Sequence, residues 1–160
     1  MKHFTLAEFT NSVTAKARGL GNTLTPEHRA NLEMLVAMLL DPLREAWAVR
    51  CAREAWGNPG IVITSGYRGF QLNKAVGGSS TSAHCVGFAA DTVPANGRLK
   101  EYKGFCREFL RGRAFDQMIS EDEDTKGTPR WVHIGYKDRQ GGQRRQLLSM
   151  RGGKYQPMMA

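Results

Sequence analysis

The sequence predicts a single α+β domain in which helices near the N-terminus pack on a small, mostly antiparallel sheet. Three observations predict this fold class. A long apolar pattern at helical spacing occupies residues 25–57, short β-branched or alternating segments cluster in the second half, and the chain has 160 residues, enough for one hydrophobic core. Helices followed by clustered strands are typical of α+β domains rather than doubly wound sheets. We therefore expect one domain over residues 1–160, with a basic tail at about 138–160.

The first half of the chain predicts two helices. Residues 5–18 begin at a Thr-x-x-Glu capping pattern and end at a glycine-rich segment, which predicts one short helix. Residues 25–57 begin with a Thr-Pro pair and predict the main helix, in which Asp41 and Pro42 indicate either a kink or a division into two. The apolar side chains at helical spacing are Leu32, Leu35, Val36, Leu39, Leu40, Leu43 and Trp47.

The second half predicts a sheet with two further helices. β-branched or alternating segments bounded by turn residues predict strands. These strands are expected at 61–66, 87–94, 115–120 and 130–136, with 146–150 as an edge strand. Helices are expected at 67–76 and 98–111. The acidic segment between the third and fourth strands predicts a hairpin with a solvated loop.

The chain is strongly basic, with a formal net charge of +8 and a pI near 9.8. Long-range attraction then favours a polyanionic partner such as nucleic acid, anionic lipid or an acidic cell-wall polymer. The basic residues gather in the last third without a helix-turn-helix or an aromatic-interleaved pattern, so no nucleic-acid partner is expected. The tail is then either a solvated surface or a patch that faces an anionic polymer.

Apolar runs and cysteines exclude several other classes of protein. The longest apolar run, residues 34–40, is too short to cross a bilayer, so no stable membrane insertion is expected. The first residues lack the order of a secretory signal, which predicts that the protein starts in the cytoplasm. Three cysteines without CxxC spacing predict buried free thiols rather than a disulfide framework or a zinc ribbon.

Two histidines and one aspartate form the strongest candidate site. His84 and Asp91 lie in the segment SAHCVGFAAD, and His133 lies in WVHIGY. Two imidazoles and one carboxylate are the ligand set of an open catalytic zinc site, whose fourth position holds water. A strand at 87–93 would carry Asp91, and a neighbouring strand could supply His133. Because a lone histidine on a strand is more often structural, the spacing alone leaves both interpretations open.

The chain contains ITSGYR, LN, VGGSSTSAH, GFAAD and WVHIG in this order. These motifs closely resemble the zinc D-Ala-D-Ala carboxypeptidase family, peptidase family M15, whose pattern is S-x-H-x-x-G-x-A-x-D followed downstream by W-x-H. The resemblance covers about Phe4 to Tyr136, and the short chain resembles the phage endolysins of that family. It implies a hedgehog/DD-peptidase-like fold whose sheet bears a zinc site, with Zn²⁺ bound by His84, Asp91 and His133.

The resemblance also implies residues that contact the substrate. Arg68, in SGYR, corresponds to the family arginine that holds a substrate carboxylate or carbonyl, a role that suits its planar fork of donors. Ser82 matches a position close to the substrate. Without a role in substrate binding, Arg68 would form a surface salt bridge and Ser82 would cap a loop. Trp131 is either a wall of the substrate pocket or a core aromatic.

The general base is where the sequence departs from the family pattern. Many family members carry an acid three residues before the last zinc histidine, and this chain has Arg130 there. Glu121 is the leading candidate, because similar phage sequences often have an acid after a D-Q-x-I stretch. The alternative is that Glu121 is a solvated loop residue, because it is the first residue of an acidic run. Asp116 is the second candidate, either as the base or as a residue that orients a ligand histidine.

The resemblance implies a zinc-dependent peptidoglycan peptidase that hydrolyses a D-Ala-D-Ala or related stem-peptide bond through a metal-activated water. Two alternatives stay open: an L-Ala-D-Glu endopeptidase on the same scaffold, and a non-catalytic zinc-containing module that binds the cell wall. As a phage endolysin, the protein is expected to be a monomer in the host cytoplasm before lysis. It would then reach the wall in the periplasm after release by a holin.

Overall fold

The structure is a computed structural model that describes residues 1–159 as a six-stranded sheet with six α-helices. The helices are α1 (Leu6–Thr10), α2 (Val13–Arg18), α3 (Pro26–Leu35), α4 (Asp41–Glu54), α5 (Phe70–Ala75) and α6 (Leu99–Leu110). The strands are β1 (Ile61–Ser65), β2 (Ala89–Pro94), β3 (Gln117–Glu121), β4 (Trp131–Gly135), β5 (Gln146–Arg151) and β6 (Lys154–Pro157). The predicted α+β class is confirmed.

The N-terminal segment forms two short helices, so the prediction of one helix over 5–18 is wrong. Asn11 ends α1 in an extended conformation, with φ −70° and ψ 127°. Ser12 then caps α2, because its Oγ accepts a hydrogen bond of 3.1 Å from the backbone N–H of Ala15. Asn and Ser favour caps over helix interiors because their short side chains bond the local backbone. The predicted capping pattern at Thr5 is present in α1.

The main helix continues through its Asp-Pro pair and does not divide. The turn Val36–Leu40 between α3 and α4 is a π turn, in which the N–H of Asp41 bonds the carbonyl of Val36. Pro42 lacks an N–H, and the wider π turn lets the helix continue past it. The Asp41 carboxylate accepts backbone hydrogen bonds from Lys2, at 2.8 Å, and from His3, at 2.9 Å. This contact fixes the N-terminus on the main helix.

The sheet has the strand order β1-β2-β4-β3-β5-β6, and every neighbouring pair is antiparallel except β3 with β5. The prediction of a mostly antiparallel sheet is therefore confirmed. The prediction that 146–150 is the edge strand is wrong, because β5 lies between β3 and β6. The turn at Gly152 and Gly153, with φ 53° and 77°, returns the chain as β6, which is the edge strand on this side of the sheet. Much of the predicted basic tail is thus part of the sheet.

Helices α4 and α6 pack on one face of the sheet, and the candidate site lies on the other face. Thr92 points towards α6, where its Oγ1 lies 2.9 Å from the hydroxyl of Tyr102. Trp47 of α4 packs against the ring of Tyr102 at a centroid distance of 5.3 Å. Because side chains alternate along a strand, Asp91 beside Thr92 points to the opposite face.

The three cysteines are free and buried, as predicted.

A buried charge cluster joins the β3–β4 loop to β5. Glu123 has a fully buried side chain that accepts hydrogen bonds from Arg151 Nε at 2.7 Å, from Ser149 Oγ at 2.8 Å, and from Lys103 Nζ. Burial would raise the pKa of Glu123, but these partners lower it to about 2. The acidic loop is therefore not wholly solvated, and this part of it is structural.

We expect Glu123→Gln to destabilise the protein by about 3–5 kcal/mol, because it removes the buried carboxylate that pairs with Lys103 and Arg151. The pKa of Glu123 is lowered in the folded state, so its contribution is present above the unfolded value of 4.5 and is lost as pH falls towards 2. Urea unfolding at pH 7 and pH 3 measures the effect. Glu108→Gln is the matched control, since Glu108 pairs with Arg50 at an exposed site and should change stability by less than about 1 kcal/mol. Equal losses in the two variants would contradict the prediction.

Within residues 1–159, no helix has both the length and the apolar character required for a membrane span.

Candidate metal centre and active-site cleft

The pairing of β2 with β4 places Asp91 directly opposite His133, and a 3₁₀ turn at Ala83–Val86 brings His84 beside them. Nδ1 of His133 lies 3.1 Å from Oδ1 of Asp91 and 3.2 Å from Nε2 of His84. The same Nε2 lies 3.3 Å from Asp91 Oδ1. All three residues are buried, and their ligand atoms form one compact triangle. The structure thus brings together the three residues that the sequence analysis selected.

The backbone around the 3₁₀ turn fixes the orientation of His84. Its Nδ1 lies 2.7 Å from the carbonyl oxygen of Gly66, which can only accept, so Nδ1 carries the proton and Nε2 presents a lone pair. Ser82 caps the turn, since its Oγ accepts a hydrogen bond of 3.2 Å from the N–H of His84. A hydrogen bond from the ring nitrogen that faces away from the metal, like the one from Nδ1 of His84 to Gly66, is the usual way in which proteins orient a metal-binding imidazole.

We expect Gly87→Ala to destabilise the protein more than Gly19→Ala and to displace the turn that carries His84. A Cβ at Gly87 would lie 2.5 Å from the carbonyl oxygen of His28, whereas none of the described atoms lies within 4 Å of a Cβ at Gly19. Both glycines have left-handed φ angles, of 86° and 63°, so both variants bear a strain of about 1–2 kcal/mol. Urea midpoints and bound zinc per chain measure the difference. Identical losses in the two variants would show that the contact with His28 is unimportant.

The cluster is polarised for binding a cation. Burial would raise the pKa of Asp91, but the adjacent imidazoles of His84 and His133 hold it well below its usual value. Burial lowers the pKa of His84, and the Asp91 carboxylate offsets this only in part. At neutral pH, Asp91 is therefore an ionised carboxylate and His84 is a neutral imidazole, whose lone pair can bind a cation.

The donor set fits zinc. Zinc binds imidazole nitrogen and carboxylate oxygen at about 2.0–2.2 Å, so a tetrahedral ion separates its ligand atoms by roughly 3.3–3.6 Å. The observed separations of 3.1, 3.2 and 3.3 Å are close to that spacing. A cation bound between these atoms would accept a lone pair from all three at once. A zinc ion held by these three residues would keep one coordination position for a water molecule or the substrate.

A cleft of about 680 Å³ opens over the cluster, and Glu121 lies in it. Glu121 ends β3, pairs with Trp131 across the hairpin and is 8% exposed. Burial raises the pKa of Glu121 to about 7, with His133 opposing the shift and Asp91 reinforcing it. Within residues 1–159, no hydrogen bond or ion pair holds its carboxylate. A buried carboxylate whose pKa is raised to about 7 can accept and release a proton near neutral pH.

Asp116, the second candidate for the base, is held by Arg144. Its Oδ1 and Oδ2 accept hydrogen bonds of 2.8 Å each from Nε and Nη2 of Arg144, and Oδ1 also accepts the backbone N–H of Arg144 at 3.1 Å. Across the described chain, its carboxylate bonds neither His84 nor His133. Asp116 therefore orders the connection between β4 and β5, and Glu121 is the acid that is free to accept a proton.

The other selected residues also line the cleft. Arg68 has a buried Nε without a hydrogen-bond partner among residues 1–159, so its guanidinium can bind a carbonyl or a carboxylate. Ser82 caps the 3₁₀ turn and faces the cleft as well. Trp131 is half-buried and lies outside the hydrophobic core, which favours a role as a cleft wall.

The sequence analysis missed the contribution of the C-terminal hairpin. Leu148, Met150 and Tyr155 line the cleft from β5 and β6. The segment 146–150 predicts a strand but does not show which face meets the site. Residues 154–157 have no alternating apolar pattern, and the double glycine before them was the available turn signal.

The fold and the site define a metal-dependent hydrolase: a His–Asp–His cluster on a sheet, open to a cleft that holds an acid and an arginine. Comparison with known proteins identifies the protein family. Residues 2–134 match the family described as Peptidase M15, and the chain belongs to the peptidase M15 family. This confirms the predicted family and its metallopeptidase class, and the His–Asp–His cluster supplies the ligand set predicted for zinc.

A curated relative is the zinc D-Ala-D-Ala carboxypeptidase of Streptomyces albus G. The chain is 31% identical to it over 75 residues, which are 46% of this chain and 27% of that protein. The match thus spans little more than a quarter of the relative's length.

Proposed function

We propose that the protein is a zinc-dependent peptidase that hydrolyses a stem-peptide bond of bacterial peptidoglycan. The observation that carries this proposal is the compact His84–Asp91–His133 triangle in the same cleft as Glu121 and Arg68, neither of which has a side-chain ion pair within residues 1–159. The family and the name of the curated relative support the choice of zinc and of a cell-wall substrate.

Each residue of the cleft has a separate role in the proposed reaction. A bound zinc ion supplies Lewis acidity, which polarises a carbonyl and acidifies water. Glu121 accepts the proton of the attacking water and then donates it to the leaving amine, a role that its raised pKa allows near neutral pH. Arg68 donates hydrogen bonds to the substrate carboxylate or to the negative charge that develops on the scissile carbonyl. Trp131 limits the width of the cleft beside Glu121.

The scissile bond is proposed to be D-Ala-D-Ala or a neighbouring D-residue linkage. Mass spectrometry of purified peptidoglycan digested by the zinc-loaded protein tests this directly. Free D-Ala would support a carboxypeptidase, whereas new L-Ala and D-Glu ends would identify the endopeptidase alternative. Intact wall bound by the protein without products would instead identify a non-catalytic wall-binding module. The chelator-treated protein is the control.

We further propose that the protein acts as a phage endolysin, held in the host cytoplasm as a monomer until a holin releases it to the wall. Its net charge of +8 supports binding to an anionic wall. A fall in turbidity of outer-membrane-permeabilised cells, abolished by chelator, is the expected result. Light scattering during size-exclusion chromatography measures the oligomeric state.

A further inference from the structure

The C-terminal hairpin extends the floor of the cleft beyond the region that matches the family. That match ends at residue 134, whereas Met150 of β5 and Tyr155 of β6 both line the cleft. The two residues lie directly opposite each other in the antiparallel pair. One side of the cleft is therefore built by residues outside the matched region.

The sheet registers place Tyr155 near the candidate base. Ser120 of β3 is in register with Ser149 of β5 in the parallel pair, so Glu121 lies beside Met150, which in turn lies beside Tyr155. Neighbouring strands are about 4.8 Å apart, so the backbones of Glu121 and Tyr155 are separated by roughly 10 Å. Two long side chains on the same face can reach a common ligand across that distance.

The length of the cleft suits an extended peptide. From β4, which carries His133, the sheet continues through β3 and β5 to β6, a span of three strand spacings or roughly 14 Å. About four extended residues cover that length. The intervening floor is formed by Ile119, Leu148 and Met150 and is apolar, which suits a stretch with small apolar side chains such as alanine.

Tyr155 has no evident structural role. It is 60% exposed on an edge strand, and it packs against no other aromatic ring in the described part of the chain. Its hydroxyl has no hydrogen-bond partner within residues 1–159. Partial burial and the negative charges of Glu121 and Asp91 raise the pKa of the phenol, which therefore stays protonated and can donate. An amphipathic ring with an unused donor at the rim of a cleft is suited to ligand contact.

We propose that Tyr155 is a substrate-binding residue whose ring packs on the peptide in the cleft and whose hydroxyl donates a hydrogen bond to a peptide carbonyl on the Glu121 side. This inference rests on the proposed function and adds a recognition element to it. Because the carbonyls of an extended peptide recur at every residue, the contact selects a chain that runs across β3 and β5 rather than a free dipeptide.

The test measures affinity without turnover. Metal-free protein is titrated with the pentapeptide L-Ala-γ-D-Glu-L-Lys-D-Ala-D-Ala in a calorimeter, using wild type, Tyr155→Phe, Tyr155→Ala and Gln156→Ala. Tyr155→Phe should bind about three- to tenfold more weakly, the effect of one lost hydrogen bond, and Tyr155→Ala more weakly still. Gln156→Ala is the matched control, since its exposed side chain lies on the opposite face of β6, and it should bind like wild type. Zinc-loaded Tyr155→Phe should show a raised KM with kcat retained, and the urea midpoints should not change.

The outcomes separate this inference from the proposed function. If wild type hydrolyses stem peptides but both Tyr155 variants bind the pentapeptide as wild type does, the role of Tyr155 is wrong and the peptidase proposal stands. If wild type neither binds nor hydrolyses stem peptides, the proposed function fails and the inference fails with it.

Discussion

His133→Ala is expected to abolish stoichiometric zinc binding and to reduce peptide hydrolysis to the background rate. His133 is the central member of the cluster, with Nδ1 3.1 Å from Asp91 and 3.2 Å from His84. Its removal leaves one imidazole and one carboxylate, which is fewer than the three protein ligands of a catalytic zinc site. Zinc per chain by mass spectrometry and the rate of stem-peptide hydrolysis measure the two effects.

His3→Ala is the matched control for the loss of an imidazole. His3 lies away from the cleft, where its ring contacts Glu45 at 3.2 Å, so this variant should keep both zinc and activity. A third readout is independent of turnover. Added zinc should raise the melting temperature of wild type and of His3→Ala but not of His133→Ala, because a ligand stabilises the state that binds it. Full zinc content in His133→Ala would remove this residue from the metal centre.

Glu121→Gln is expected to lower kcat by about 10²–10⁴-fold while zinc binding is retained, the range for loss of a general base. The substitution keeps the shape of the side chain but removes its ability to accept a proton. Asp122→Asn is the matched control, because its carboxylate is exposed, pairs with Arg130 at 3.2 Å and should be dispensable. A Glu121→Gln variant with wild-type kcat would contradict the assignment of the base.

The pH dependence gives a further test of Glu121. Its pKa is raised to about 7 by burial, so the fraction of ionised base, and with it the activity, should increase as pH rises. A bound cation lowers this pKa, which puts the acidic limb of the profile at or below about pH 7. The raised folded-state pKa also means that ionised Glu121 destabilises the metal-free fold above the unfolded pKa. Metal-free Glu121→Gln should therefore have a higher urea midpoint than wild type at pH 8, and the difference should vanish at pH 4.

Asp116→Asn separates the two acids that the sequence analysis left open. Because Arg144 binds both of its oxygens, the expected effect is a lower urea midpoint with kcat largely retained, the reverse of Glu121→Gln. A loss of kcat without a loss of stability would instead favour Asp116 as the base.

The members of the His–Asp–His cluster could be predicted because their motifs are short and specific. His84 and Asp91 belong to one continuous motif, and the apolar residues between them indicate a strand. The general base could not be predicted in the same way, because Arg130 stands where the family pattern has an acid. Glu121 was a candidate only by analogy, and its burial beside the cluster became apparent in the structure.

The sequence by itself determined the α+β class, the mostly antiparallel sheet, the family and the members of the His–Asp–His cluster, since helical spacing, β-branched runs and short motifs are properties of neighbouring residues. Only the tertiary structure decided that β5 lies inside the sheet, that Asp116 is held by Arg144, and that Tyr155 reaches the cleft. The physical reason is that strand order and ion pairing join residues far apart in the chain. Their contacts depend on register and burial, which no short stretch of sequence encodes.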